Sequence, residues 1–271
     1  MAEKLRLDKL LVKRGFVKSR ERAKALIMAG KVLVDGKVVD KAGTSVPLDA
    51  KVEVKGEDIP YVSRGGLKLE TAIKAFNLNV KGFTCLDVGA STGGFTDCLL
   101  KHGAQKVYAV DVGKGQLDWK LRNDPRVISI EGFNARYLTE REVPEKVDLV
   151  VIDVSFISLT KILPVVKQFL KPKGKIVALI KPQFELTKRE VDRGKGVIRD
   201  PSLHKRAIEK ILNFSREIGL YPENLTLSKP RGPKGNKEFL VLLSQKPEDD
   251  KVNENTVNRV VVMDDCKNFL L

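Results

Sequence analysis

The feature that most constrains the fold is the alternation, from residue 83 onward, of short apolar runs with helix-like segments. Strands joined through helices form a mostly parallel sheet covered on both faces, because each connection must return to the edge where it began. The pattern therefore predicts an α/β fold with a doubly wound sheet. The predicted strands span residues 84–89, 106–111, 127–130, 148–153, 175–180 and 238–243, and the predicted helices span 95–102, 159–170 and 202–218.

A ligand of such a sheet is expected at the carboxyl ends of the strands. The first strand ends in the glycine-rich turn of residues 87–95, where the backbone leaves room for a close ligand. The glycine spacing is not Gly-x-Gly-x-x-Gly, so the dinucleotide fingerprint is absent. Asp111 ends the second strand, where it can accept ribose hydroxyls, whereas Asp87 either binds a cofactor or braces the turn. The candidate cofactor residues are Asp87, Gly89, Ala90, Ser91, Thr92, Gly93, Gly94, Phe95, Asp111 and Asp153.

Four charged residues stand at strand ends or beside a glycine pair. Asp153 and Lys181 each follow a long apolar run, Glu238 opens the late strand, and Lys68 follows the segment Ser-Arg-Gly-Gly-Leu. Any one of them alone is typical of a structural salt bridge or a solvated strand end. Phe95, Phe156 and Phe184 flank these positions, and core packing is favoured for them over stacking on a flipped base. Trp119 is equally consistent with packing and with flanking an adenine.

The overall charge favours a polyanionic partner. The chain of 271 residues has 50 Lys and Arg against 35 Asp and Glu, a formal net charge of +15. Nucleic acid is the first candidate and an anionic membrane the second. The sequence contains no apolar run long enough for a membrane span and no secretory signal. Its three scattered cysteines predict neither a disulfide framework nor a zinc site, and they favour a reducing cytoplasm.

The first 54 residues have a pattern of their own. Leu7, Leu10 and Leu11 recur at helical spacing, a second helix is predicted from Ser19, and an Asp-Gly turn at residues 35–36 predicts a hairpin. This arrangement resembles the alpha-L motif, a small RNA-binding domain first described in a small-subunit ribosomal protein. The residues that carry the resemblance are Arg6, Leu7, Asp8, Ser19, Arg20, Ala23 and the run 30–36.

The larger segment resembles a family of enzymes. The glycine-rich turn together with Asp111 is similar to S-adenosylmethionine-dependent methyltransferases, which have a Rossmann-like sheet. Lys68, Asp153, Lys181 and Glu238 as a set resemble the Lys-Asp-Lys-Glu tetrad of ribose 2′-O-methyltransferases related to FtsJ. Three further sequence motifs lie at residues 63–69, 153–156 and 181–185. Together with the N-terminal motif, they make residues 6–245 resemble the TlyA family, often labelled hemolysin A.

The resemblance implies a cytoplasmic enzyme that uses S-adenosylmethionine to methylate a cytidine ribose 2′-hydroxyl in ribosomal RNA. The small subunit is the first target and the large subunit a further one, and neither a metal nor a membrane is expected. Lys181 would hold the 2′-oxygen as a base or as a stabiliser of developing negative charge. Asp153 and Glu238 would orient the two lysines. The expected RNA contacts are Arg6, Lys9, Lys13, Arg14, Lys18, Arg20, Arg22, Lys24, Arg64, Lys229, Arg231 and Lys234.

These readings divide the chain into an RNA-binding domain at 1–59, a linker at 60–63, a methyltransferase domain at 64–246 and an acidic tail at 247–271. The tail has no expected role, and its run of residues 260–263 suggests an added strand or a partner-binding segment. Two other functions compete with methyl transfer. One is a noncatalytic ribosome-assembly factor, and the other is a pore-forming toxin.

The charge predicts a strong salt dependence of RNA binding. Each phosphate contact made by a Lys or Arg releases condensed counterions, so the affinity falls as salt rises. Raising the salt from about 50 to about 200 mM should weaken RNA binding by at least roughly tenfold. Filter binding at several salt concentrations measures this, and an affinity that stays constant over the range would contradict it.

Overall fold

The structure is a computed structural model that describes residues 3–17, 19–28, 30–54, 59–232 and 235–263. The chain forms two compact units, Met1–Ile59 and Pro60–Leu271. In its described residues the small unit contains two helices and five short strands. They are β1 Lys4–Arg6, α1 Leu7–Lys13, α2 Arg20–Met28, β2 Val32–Val34, β3 Lys37–Val38, β4 Ser45–Pro47 and β5 Val52–Val54.

Both helices and the hairpin of the small unit are where the sequence predicts them. The Ser19 hydroxyl accepts a hydrogen bond from the Arg22 amide, as an N-cap does. Asp35 and Gly36 have φ angles of 50° and 77°, which the turn between β2 and β3 requires. Helix α1 buries the three predicted leucines against α2 and β2 in one apolar core. Strand β1 was not predicted, because its basic residues show no apolar alternation; it pairs antiparallel with β4.

A buried carboxylate joins the two helices of this unit. Asp8 is fully buried, and its oxygens accept from Arg6 Nε at 3.1 Å and from Arg20 Nη2 at 2.9 Å. These two guanidinium groups hold the pKa of Asp8 well below its ordinary value of 3.8. The depressed pKa contributes stability above about pH 4 that is lost as the pH falls toward the folded-state pKa.

The large unit is built on a seven-stranded sheet in the order β11-β12-β10-β9-β6-β7-β8. The five strands from β10 to β8 are parallel, and β12 is antiparallel to both of its neighbours. This sheet confirms the predicted α/β fold. Its strands are β6 Thr84–Val88, β7 Lys106–Asp111, β8 Val127–Glu131, β9 Val147–Ile152, β10 Leu170–Ile180, β11 Tyr221–Leu227 and β12 Phe239–Ser244.

Helices cover the sheet and connect its strands. The longest, α9, buries Ala207, Ile208, Ile211 and Leu212 at helical spacing against the core. The helices of the large unit are α3 Gly65–Ala75, α4 Gly94–Lys101, α5 Trp119–Arg122, α6 Leu163–Lys167, α7 Pro182–Glu185, α8 Lys188–Arg193, α9 Pro201–Glu217 and α10 Glu254–Val262.

Two predictions about strands and helices need correction. The helix predicted at 159–170 is a 3₁₀ turn at Leu159–Lys161 followed by the short α6, and the chain is already in β10 at Leu170. Pro164 lies in the first turn of α6, where its missing N–H costs nothing, so it marks the start of a helix. Strand β11 was missed because it contains Pro222 and several polar residues, which an edge strand tolerates.

The segment beyond residue 246 packs on the large unit. The possibility of an added strand at 260–263 is wrong, because α10 continues to Val262. The Asn253 side chain caps α10 by accepting from the Thr256 amide at 3.0 Å. Val257, Val260 and Val261 are spaced as one helical face and are buried in the main core. The rest of the predicted tail, 264–271, lies outside the described residues.

The buried Asp8 carboxylate generates a stability prediction. Asp8→Ala should destabilise the small unit by about 1–3 kcal/mol, because it removes charged hydrogen bonds to both Arg6 and Arg20. Hydrogen exchange of the amides in α1 and α2 should accelerate in the full chain. Asp49→Ala, a change at an exposed position of the same unit, is the control and should leave exchange unaltered. Equal protection in both variants would contradict the prediction.

Candidate active site

The pairing of the strands brings the predicted residues to one edge of the sheet. Ile152 pairs with Val88 and with Ala178, so Asp153 lies beside the turn that follows β6 and near the end of β10. Ile180 pairs with Phe239 in the antiparallel direction. The beginning of β12 therefore meets the end of β10, and Glu238 and Lys181 become neighbours at the carboxyl edge.

Two lysines and two carboxylates form a continuous chain of ion pairs. Lys181 Nζ lies 2.6 Å from Asp153 Oδ1, and Lys68 Nζ lies 2.7 Å from Glu238 Oε2 and 3.9 Å from Asp153 Oδ2. The exposed fractions of the four side chains are at most 19%. Buried charges of this kind are stable only when they are paired. The structure thus brings all four predicted residues together.

Lys68 reaches the edge from a helix that the sequence patterns did not predict. Helix α3 packs against α4, and the contact is close because three glycines lie at it. A Cβ atom on Gly66 would overlap the ring of Tyr61, and one on Gly94 would lie 2.8 Å from the Gly66 nitrogen. Gly66 and Gly94 are therefore packing requirements that set the position of α3.

The segment after Asp153 adds a serine and an aromatic ring. Lys181 Nζ donates to Ser155 Oγ at 3.0 Å. Phe156 has a φ of 62° and is 90% exposed, and its ring centroid lies 5.0 Å from that of Phe184. Core packing is confirmed for Phe95, which is 3% exposed, and is wrong for Phe156. Ser155 was missed, and the only signal for it is its place two residues after Asp153.

A cavity of about 1200 Å³ opens at this edge. Its walls include all four charged residues, the exposed ring of Phe156 and the half-buried ring of Phe184. Arg64 and Arg231 also line it, and Arg64 Nη2 donates to the Arg231 carbonyl at 3.0 Å. Of the predicted cofactor residues, the cavity lining contains Gly89, Ala90, Ser91, Thr92, Gly94, Phe95 and Asp153.

The glycine-rich turn is held open by its backbone. Gly89 has a φ of 87°, and a Cβ atom there would lie 2.6 Å from the Asp153 carbonyl oxygen. Gly93 has a φ of 94° and caps α4, whose free amides begin at Gly94. Asp111 accepts from the Ser91 amide at 2.8 Å and from the Gly113 amide at 2.7 Å. Asp111 thus fixes the turn and is not one of the residues that line the cavity.

Asp87 braces the same turn through a buried hydrogen bond. It is fully buried, and its Oδ2 accepts from the Thr96 hydroxyl at 2.6 Å. Burial raises the pKa of Asp87 to about 7, and the nearby carboxylate of Asp153 adds to the shift. Within the described ranges, Asp87 Oδ1 and Asp153 Oδ1 are buried acceptors without a hydrogen bond. The 2.6 Å contact of Asp153 Oδ1 with Lys181 is therefore an ion pair of poor hydrogen-bond alignment.

The residues predicted to contact RNA differ in their exposure and in their hydrogen-bond partners. Arg14 donates to the main-chain carbonyls of Leu48 and Ala50, so its guanidinium braces the small unit. Arg22 is half-buried and donates to the Ile59 carbonyl. Lys18 and Lys234 lie outside the described residues. The exposed members of the set are Arg6, Lys9, Lys13, Arg14, Arg20, Lys24 and Arg64, and Lys229 and Arg231 are half-exposed.

Among the described residues, no helix combines the length and the apolar character that crossing a membrane requires. The part of the chain that the structure describes also contains no group of three or more His, Cys, Asp or Glu side chains that could hold a metal ion.

Comparison with known proteins identifies the family. The model of FtsJ-like methyltransferases matches residues 61–245, and the model of the S4 domain matches residues 5–52. A 16S/23S rRNA (cytidine-2′-O)-methyltransferase TlyA of Mycobacterium tuberculosis is 46% identical over 244 residues, which cover 90% of this chain and 91% of that protein. The chain belongs to the TlyA family of FtsJ-like methyltransferases. The predicted resemblance and the assignment as an enzyme are thereby confirmed.

Two other similar proteins are named as hemolysins. Hemolysin A of Brachyspira hyodysenteriae is 46% identical over 87% of this chain and 98% of its own. A solved structure from Streptococcus thermophilus, assigned as a hemolysin, is 42% identical with a TM-score of 0.74 and covers 96% of this chain and 95% of its own. An S-adenosylmethionine-dependent methyltransferase of Mesorhizobium loti, 17% identical with a TM-score of 0.50, shares the fold; the match covers 67% of this chain and all of that one.

The buried ion pairs generate a thermodynamic prediction. Glu238→Ala should lower the free energy of unfolding by about 3–5 kcal/mol, because Lys68 is left buried with only the more distant Asp153. Adding Lys68→Met should recover part of this loss, because no uncompensated charge then remains. Guanidinium denaturation followed by circular dichroism measures both values.

The control for this cycle is an exposed ion pair on the same unit. Glu254, which is 70% exposed, pairs with Lys205, and Glu254→Ala should cost less than about 1 kcal/mol. A loss for Glu238→Ala as small as that of the control would contradict the importance of the buried pairs.

Proposed function

We propose that this protein transfers the methyl group of S-adenosylmethionine to the 2′-hydroxyl of a cytidine ribose in ribosomal RNA. The observation that carries the proposal is the chain of ion pairs from Glu238 through Lys68 and Asp153 to Lys181, which lines a cavity beside the glycine-rich turn. The M. tuberculosis relative bears this activity in its name, which supports the same reaction here. The cytidine and the small or large subunit are taken from that name.

The residues around the turn fit the proposed cofactor. S-adenosylmethionine has an ammonium group, and the Asp153 carboxylate, which lines the cavity, would pair with it, while the buried Asp87 would brace the turn that holds the cofactor. Gly89 and Gly94 would admit the cofactor close to the backbone, Gly93 would shape the turn against Leu117 and Leu121, and Ser91, Thr92, Ala90 and Phe95 would line its path. Asp111 would serve the ribose side, with exposed Trp119 near an adenine. When bound, the cofactor supplies an electrophilic methyl group on a sulfonium.

Lys181 is the group assigned to the reacting oxygen. An ammonium has three donors, and Lys181 meets Asp153 and Ser155, which leaves a donor for the ribose 2′-oxygen. Lys181 would thereby position the oxygen toward the cofactor, and positioning of reactants supplies several orders of magnitude in rate. Asp153 and Glu238 fix the two lysines, and Lys68 links the two acids. This geometry favours an electrostatic role for Lys181 over that of a base, and the proton of the 2′-hydroxyl would then pass to the solvent that reaches the cavity.

Recognition of RNA is assigned to both units. Residues 1–59 would form the RNA-binding domain and 64–246 the methyltransferase domain, with 60–63 as the linker. Arg64, Lys229 and Arg231 would contact phosphates near the cavity. The exposed ring of Phe156 would stack on the target base. In the small unit the expected contacts are Arg6, Lys9, Lys13, Arg20 and Lys24, and the proposed substrate is ribosomal RNA within ribosomal subunits of the cytoplasm.

A substitution of Lys181 tests the proposal. Lys181→Ala should lower methyl transfer to ribosomal subunits by at least about a hundredfold, because the group that holds the 2′-oxygen is lost. Lys175→Ala is the matched control: it removes a lysine from the middle of the same strand, where Lys175 pairs with Glu223. Purified protein, ribosomal subunits and methyl-labelled cofactor are combined, and the nucleosides are separated by mass spectrometry.

Three results have distinct meanings. Label in 2′-O-methylcytidine with the wild type and with Lys175→Ala, and none with Lys181→Ala, supports the proposal. Full activity of Lys181→Ala, or label on a base, contradicts it. RNA binding without any cofactor binding by calorimetry would favour a noncatalytic assembly factor.

A further inference from the structure

Glu185 is a buried carboxylate of the large unit that the mechanism does not use. The Glu185 side chain is 1% exposed and is absent from the cavity lining. It ends α7, the short helix that begins directly after Lys181. A buried carboxylate must be well satisfied to be tolerated, so its partners indicate what it does.

Glu185 joins three parts of the large unit. Its Oε1 accepts from the Leu159 amide at 2.8 Å, and its Oε2 accepts from the Ser158 hydroxyl and from Lys210 Nζ at 3.1 Å. Lys210, on α9, also donates to the Glu185 carbonyl at 2.7 Å. We call Ser158, Glu185 and Lys210 the clamp.

Two segments of the chain, which we call the arms, carry the functional residues of the site. One arm runs from Asp153 to Ser158, and the other runs from Lys181 through α7 to Glu185. The clamp joins the two arms at their far ends. At the cavity they touch through the pairs of Lys181 with Asp153 and Ser155 and through the rings of Phe156 and Phe184. At the far end they are joined by Glu185. The clamp therefore sets the spacing of the arms.

The first arm needs such an external restraint. Phe156 is a bulky residue in the left-handed region, and its exposed ring gains little from burial. A strained backbone persists only where its surroundings determine it. Asp153 anchors one end of the strained segment through its amide, which donates to the Val88 carbonyl at 3.0 Å. Glu185 anchors the other end at Ser158 and Leu159.

We infer that Glu185 is a positioning residue for methyl transfer: through the clamp it holds Ser155 and Phe156 in register with Lys181. The inference rests on the proposed function and assigns Glu185 no contact with substrate or cofactor. A shift of about 1 Å between reacting groups can cost about a hundredfold in rate, so a carboxylate outside the cavity can control catalysis.

Two substitutions break the clamp at different points. Glu185→Gln can still accept from the Leu159 amide but places an amide against Lys210, and Lys210→Met removes the cation from the half-exposed side. Both should lower kcat for subunit methylation by about tenfold or raise the KM for RNA by about as much, with cofactor affinity within about twofold of wild type. Glu223→Gln, which breaks the pair with Lys175 in the middle of β10, is the matched control.

The rates are expressed per cofactor-binding site, counted by calorimetry, so that a loss of folded protein does not mimic a loss of positioning. Impaired Glu185→Gln and Lys210→Met together with an unimpaired Glu223→Gln support the inference. Rates and KM values of both clamp variants within twofold of wild type overturn it, as does an equal loss in the control. If Glu185→Gln does not fold, Lys210→Met alone decides. A wild type without methyl transfer would overturn the proposed function instead, which keeps the two failures distinct.

Discussion

The Asp153 carboxylate is the group on which the arrangement of the site depends. It lies between two buried lysines, 2.6 Å from Lys181 Nζ and 3.9 Å from Lys68 Nζ, and Glu238 balances the second lysine. Charges removed from water are stable only in such mutually compensating sets. Since the four residues come from α3 and from the ends of β9, β10 and β12, the chain of ion pairs also ties these elements together.

The direction of β12 makes this chain possible. In a wholly parallel sheet a residue preceding a strand would lie at the amino edge, opposite the site. Because β12 is antiparallel to β10, its first residue Phe239 pairs with Ile180, and Glu238 arrives beside Lys181. The late reversal of strand direction thus supplies the fourth charge, and α10 packs into the main core through its valines.

The sequence was most informative where apolar runs end abruptly in a charge. Asp153 and Lys181 were expected at the carboxyl edge because each follows an apolar run, whereas Glu238 was grouped with them through the family resemblance. The pairing of Ile152 and Ile180 brings all three to one edge. Strands of mixed polarity were predicted less well. Strand β11 contains Pro222 and lies at the edge, and its signal is lost because an edge strand needs no continuous apolar run.

Side-chain partners could not be predicted from residue type. Arg14 was expected on RNA but binds main-chain carbonyls, and Phe156 was expected in the core but is exposed at a positive φ. Glu185 stood in the segment 181–185 that resembles the family, but its role could not be predicted, since its partners Ser158 and Lys210 come from distant parts of the chain. Such contacts depend on tertiary packing, which periodicity does not encode.

The central claim is that the ion-pair chain serves ribose methylation in the cell. Mass-spectrometric mapping of ribosomal RNA tests it most directly, with cells that carry the wild-type gene, the Lys181→Ala gene or no gene. We expect a 2′-O-methylcytidine that is present only with the wild-type gene. Identical methylation maps in all three strains would contradict it.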